Sequence, residues 1–167
     1  MANQKPGRKS YLDASVIIAF LKGEVGRCPI VADILKAAEA GKLQLYTSAY
    51  TIAEVCKLPG APGTFDAKES EKALTFFEYD FVTLIDIDRR TGEQAHRFCT
   101  KYGLAPADAI HLASALKAGC HTLWAWDNGF INKNGMVQED HPGIVIREPE
   151  IVDGQMELAE MPPTNTD

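Results

Sequence analysis

The sequence predicts an α/β fold, a three-layer α/β/α sandwich around a central parallel sheet, and three observations carry that prediction. Short apolar segments around residues 11–12, 43–47, 81–85 and 122–126 alternate with stretches of helical periodicity along the whole chain. An acid follows the first and the last of these segments, at Asp13 and Asp127, where parallel strands open toward a ligand. With 46% hydrophobic residues in a chain of 167, there is enough apolar surface for one complete core. No internal repeat is evident.

Residues 1–8 are polar, carry Pro6 and Gly7, and read as a flexible N-terminal arm. A strand ending at Leu12 then meets Asp13, and residues 14–21 form an apolar helix that stops near Gly23. Residues 29–40 repeat apolar positions at Ile30, Ile34, Leu35 and Ala38, a helix closed by Gly41. After a strand over 43–47, Ser48 is a suitable N-cap for a helix through Cys56. The run Pro59-Gly60-Ala61-Pro62-Gly63 breaks the chain in a turn-rich loop beside Glu54. A helix over 66–77, a strand over 81–85 and a helix from Asp88 or Thr91 to Tyr102 follow, the last ended by Gly103. Pro106 suits the first position of the next helix, Asp108 lies in its first turn, and Gly119 stops it. A buried strand over 122–126 leads to the turn Asp127-Asn128-Gly129, and 144–146 form a last strand. Residues 9–146 thus make one domain, and 147–167 an acidic tail with a frayed Pro162-Pro163 end.

The net charge of −6 argues against a polyanionic partner only until it is located. From Arg147 onward there are six acids against one base, so residues 1–146 hold 16 bases and 17 acids and are nearly neutral. The four cysteines, Cys28, Cys56, Cys99 and Cys120, form no C-x-x-C pair, and no secretory signal is visible. Free thiols in a reducing cytoplasm are expected. No apolar run approaches the roughly 18 residues a bilayer requires, so no membrane association is expected.

Taken singly, four acids have ordinary structural readings. Asp13 is an N-cap, Glu54 closes a Thr51-Ile-Ala-Glu54 capping box, Asp108 sits well in a helix dipole, and Asp127 belongs to a turn. Their arrangement says more, because in a parallel sheet all four come to the same carboxyl edge. Four converging carboxylates repel one another and destabilise the fold unless a cation neutralises them. An all-oxygen donor set suits Mg²⁺ or Mn²⁺, and such ions keep open positions for phosphates.

The segments Tyr-Leu-Asp13-Ala-Ser15, Thr-Ser-Ala-Tyr-Thr-Ile-Ala-Glu54-Val, Ala-Asp108-Ala-Ile-His111-Leu-Ala and Asp127-Asn-Gly-Phe resemble, in their usual order, the four acidic motifs of the PIN domain family. The block around Asp108 is the most specific. The likeness spans about residues 9–146 and is closest to VapC-type toxins. It implies a Mg²⁺- or Mn²⁺-dependent endoribonuclease, usually dimeric and held inactive by a cognate antitoxin. Position by position it assigns the acidic cluster to Asp13, Glu54, Asp108 and Asp127, with Ser15 as a supporting hydroxyl; Asp13 and Asp108 are expected to bind the ion most directly, with Glu54 and Asp127 orienting its waters or holding a second ion. Two departures stand out. The usual Thr-x-Asp before the last acid is here Ala125-Trp126-Asp127, and the acidic tail has no counterpart.

Other readings compete at particular residues. An acid after the first strand also fits phosphotransfer on aspartate, but haloacid-type phosphatases place a second Asp where this chain has Ser15. A non-catalytic module could use the same acids to capture a basic partner. His111 invites a general-base role, yet an ion already activates water, so a structural or hydrogen-bonding histidine is expected. His96 with Cys99 is weak evidence for zinc, and Trp124 and Trp126 are expected in the core unless Trp126 is exposed to stack on a base. Lys57, Arg89, Arg90, Arg97, Lys101 and Lys117 are the candidate bases for RNA grip, though a solvated helix face accounts for most of them.

Overall fold

The computed structural model describes residues 7–57 and 66–152, without the side chain of Lys57. The Pro59–Gly63 loop, most of the N-terminal arm and the tail beyond residue 152 lie outside the described residues. Five parallel strands form one sheet: β1 (Arg8–Leu12), β2 (Leu43–Ser48), β3 (Val82–Ile85), β4 (Thr122–Trp124) and β5 (Val145–Arg147), in the order β3-β2-β1-β4-β5. The sheet therefore grows from β1 in one direction through β2 and β3, then returns to the other side of β1 with β4. Between β1 and β4 the direction of winding reverses, which is where a parallel α/β sheet opens a crevice for ligands.

Helices cover both faces, as the sequence predicts. Side chains alternate along each strand, so Tyr11 and Leu123 enter one core while Leu12 and Trp124 enter the other. On the first face Tyr11 and Leu123 meet α5 (Arg89–Tyr102), α6 (Pro106–Lys117), α7 (Asn128–Ile131) and α8 (Asn134–Asp140). On the second, Leu12 and Leu45 meet α1 (Ala14–Leu21), α2 (Cys28–Glu39) and α4 (Ala67–Phe76). Each such fully buried aliphatic side chain contributes about 1.5–3 kcal/mol. Helix α3 (Ala49–Glu54), extended by a 3₁₀ turn over Val55–Lys57, caps the carboxyl end of β2.

The helix ends follow local chemistry. Asp66 and Asp88 accept backbone N–H bonds as N-caps of α4 and α5, and Gly103 ends α5 at φ 65°, a conformation costly for residues with a Cβ. Ser48 precedes α3 without capping it, because its hydroxyl faces Thr51 Oγ1 at 3.3 Å instead. The last apolar segment is shorter than expected, with β4 ending at Trp124, and the helices α7 and α8 occupy a stretch read only as a turn. No helix among the described residues is long and apolar enough to cross a membrane. All four cysteines are free thiols.

Candidate active site

The site begins where β1 ends. Thr47 Oγ1 donates to the Leu12 carbonyl at 2.8 Å, and Asp13 N donates to the Trp124 carbonyl at 3.0 Å, so the end of β1 is tied to β2 and β4 immediately before and at the first acid. Asp13 then caps α1. Its Oδ2 accepts from Ser15 N at 3.0 Å and Ser15 Oγ at 2.6 Å, and only 6% of the residue is exposed. Ser15 Oγ in turn accepts from Trp126 N at 3.1 Å, joining the chain after β4 to the chain after β1. The hydroxyl expected to support Asp13 is present and reaches both strand ends.

Asp127 follows one residue later, exposed, and caps the short helix α7 by accepting from Gly129 N at 2.7 Å and Phe130 N at 3.3 Å. A Cβ on Gly129 would stand 3.0 Å from Asp127 Oδ1, so the bare glycine lets this cap close. Ala125 is fully buried and has no hydroxyl to offer. Asp127 is thus held by its own turn instead of by a neighbouring side chain.

Glu54 and Asp108 arrive from helices. Glu54 is the last residue of α3 and makes no capping box, since Thr51 lies inside α3 rather than ahead of it. Its Oε2 instead meets His111 Nε2 at 2.6 Å. Asp108 stands in the first turn of α6, half-buried. Burial first, then the charges of Asp13, Asp127 and Glu54, push its carboxyl up to about 6 against the opposing pull of His111. The four predicted acids are therefore electrostatic neighbours.

His111, one turn after Asp108, was expected only to bond or pack, and it does so at the centre of the cluster. The ring is 1% exposed, with Nε2 3.3 Å from Asp13 Oδ1 as well as bonded to Glu54, and Nδ1 2.9 Å from the Tyr11 hydroxyl. Burial draws the imidazole's pKa down, yet Tyr11, Glu54 and Asp13 together carry it up to about 10. Tyr11 escaped the sequence reading because an apolar-strand tyrosine looks like core. The signal that could have found the pair is spacing: Tyr11 two residues before Asp13 and His111 three after Asp108.

Among the described residues no three His, Cys, Asp or Glu side chains close on one point as a metal cage would, and Glu54 and Asp13 each turn an oxygen to His111. The donor chemistry fits a hard divalent ion nonetheless. Every acid in the cluster is an oxygen donor, and burial together with the charges of Asp13 and Asp127 holds the Asp108 carboxyl up, an environment that a hard divalent ion would offset.

At the rim the Arg27 guanidinium lies over the Trp126 ring, 4.9 Å from its centroid, and pairs with Glu24 at 3.3 Å. The bases proposed from sequence are largely engaged elsewhere. Arg89 bonds Glu93, Lys101 bonds Asp140 and Lys117 bonds Asp88, while Arg97 faces Gln94. Lys57's side chain is outside the described atoms.

A sequence profile of the PIN domain matches residues 10–135. The chain belongs to the PIN domain family. Among solved structures this PIN domain is similar to VapC20 of Mycobacterium tuberculosis, described as a toxin cleaving the sarcin–ricin loop, at TM-score 0.57 and 19% identity, covering 72% of this chain and 92% of that one. It is similar to a chain of a toxin–antitoxin complex from Klebsiella pneumoniae at TM-score 0.54 and 21% identity, covering 86% and 99%. A third likeness, to VapBC2 of Rickettsia felis bound to a promoter DNA fragment, has TM-score 0.57, 12% identity and coverage of 84% and 98%. At such identities these likenesses are of fold. No curated protein matches the chain.

Proposed function

We propose that this PIN domain is a Mg²⁺- or Mn²⁺-dependent endoribonuclease, the toxin of a toxin–antitoxin pair. The observation that carries the reading is the convergence of acids from four separate elements at the switch point of the sheet, where burial first, and then the charges of Asp13, Asp127 and Glu54, hold the Asp108 carboxyl up. Such convergence is destabilising unless an ion offsets it. The structures it resembles in fold include a toxin described as cleaving the sarcin–ricin loop and a chain of a toxin–antitoxin complex.

Asp13 and Asp108 would hold the ion most directly, with Glu54 and Asp127 holding it or orienting its waters. When bound, a divalent ion supplies Lewis acidity, acidifying a water nucleophile and offsetting charge on the phosphate oxygens. Ser15 aims Asp13 by donating to Oδ2. Asp127, the most exposed of the four, is the acid most open to an arriving substrate. Arg27, stacked on Trp126 beside Ser15, offers a cation to the RNA backbone.

Water as nucleophile leaves a 5′-phosphate and a 3′-hydroxyl. The test is cleavage of structured RNA by wild type and Asp108→Asn, with Mn²⁺ and with EDTA. Expected are 5′-phosphorylated products, loss of activity in EDTA, and loss in the variant. A 2′,3′-cyclic phosphate, or cleavage that survives EDTA, would sink the reading. An antitoxin presenting an arginine would neutralise the same carboxylates bidentately. A homodimer in the cytoplasm completes the proposal, and light scattering on the purified chain measures the dimer directly.

A further inference from the structure

Two buried groups stand behind the acids without any part in the chemistry above. Tyr11 is 0% and His111 1% exposed, so neither can touch RNA. Glu54 and Asp13 present acceptor oxygens, so Nε2 of His111 carries a proton, and this N–H donates to Glu54 Oε2 at 2.6 Å with Asp13 Oδ1 3.3 Å away. The other nitrogen is held by the Tyr11 hydroxyl at 2.9 Å. Rings on two sides confine the imidazole, Tyr11 at 5.7 Å and Tyr50 at 5.9 Å between centroids, both edge-on. It can neither flip nor swing without losing a buried bond.

We infer that Tyr11 and His111 form a positioning relay that fixes the orientation of Glu54 and Asp13 and thereby sets the affinity of the site for its divalent ion. Glu54 is the member that needs it. Its long side chain starts from the last residue of a short helix, and repulsion from Asp13 and Asp108 would turn it outward to water. The His111 bond holds one of its oxygens inward at 2.6 Å. Asp13 is held twice, by His111 at Oδ1 and by Ser15 at Oδ2, so it depends on the relay less. The relay rests on the nuclease reading, which names these acids as the holders of the ion.

The test is calorimetric titration of MnCl₂ into the intact chain. His111→Leu is expected to weaken Mn²⁺ binding by about 10–100-fold, the usual cost of removing a partner that orients a ligand. His111→Gln, which restores an N–H at similar reach, should recover most of that loss. Tyr11→Phe should weaken binding by a smaller factor and shift the ¹⁵N signal of His111 Nδ1, whose hydroxyl partner it removes. In RNA cleavage at subsaturating Mn²⁺ the effect should fall on kcat, with KM for RNA near the wild-type value. A folded His111→Leu with unchanged or tighter Mn²⁺ binding overturns the relay. Should His111→Leu fail to fold, Tyr11→Phe decides, because unchanged Mn²⁺ affinity and unchanged ¹⁵N signals there overturn it equally. A wild type that binds no Mn²⁺ refutes the nuclease reading itself; a wild type that binds it with indifferent variants refutes only the relay.

Discussion

Asp108 holds its proton more tightly in the folded chain than a free carboxylate does, up to about 6 against 3.8, chiefly through burial and then through the Asp13 and Asp127 charges. Between those two values the native state binds more protons than the unfolded one, so stability falls as pH rises through that window. In EDTA, urea unfolding of the wild type is expected to show lower stability at pH 6.5 than at pH 4.5, with the decline flattened in Asp108→Asn. A slope unchanged in the variant would assign the effect elsewhere. Arg27 supports a second measurement: Arg27→Ala should weaken RNA binding in fluorescence anisotropy and lower the salt slope by roughly one charge. At this scale the sequence was legible where chemistry is local. Asp13 could be read as a cap from the residues after it, and Ser15 from its spacing. Glu54 could not, because its partner His111 lies on another helix, and the Thr51 that suggested a capping box is inside α3.

The α5–α6 hairpin sets where Asp108 and His111 stand, and its turn depends on Gly103 at φ 65°. A Cβ there would meet nothing closer than Lys133 Nζ at 3.5 Å, so the cost of Gly103→Ala is conformational rather than steric. Urea unfolding should show a loss of about 1–2 kcal/mol. Leu112 offers a contrasting case in the middle of α6, fully buried in the core shared with Tyr11 and Leu123. Leu112→Ala should cost about 2–5 kcal/mol, since a cavity opens beneath the site. Periodicity and glycine stops made these helices readable before the structure. It failed at α7, where Asp-Asn-Gly signals a turn. An Asx turn and an N-cap use the same carboxylate-to-N–H bonds, so only the residues beyond decide between them.

For the whole molecule, the parallel order β3-β2-β1-β4-β5 was legible as a class from alternating strands and helices. The strand order itself was not, because neighbours in a parallel sheet are chosen by crossovers that leave no local mark. The same topology makes ion binding a global matter. Because the acids are spread over separate elements, an ion that binds only the folded chain stabilises all of it, by about 2.7 kcal/mol at a hundredfold excess over its dissociation constant. Thermal melts should therefore rise with MnCl₂ in the wild type and stay nearly level in Asp108→Asn; equal shifts in both would mean that the ion binds away from the cluster.

Asp13 and Asp127 flank the same crevice from strands far apart in the chain, and that separation acts as a clock during synthesis. Asp13 leaves the ribosome early, but β4, one of its two neighbouring strands, and the last acid are translated only about a hundred residues later. At about 5–20 residues per second, a nascent chain spends on the order of ten seconds with its first acid made and its last not yet made. Through that interval the crevice lacks its fourth acid, and the cluster can close only once translation has passed Asp127.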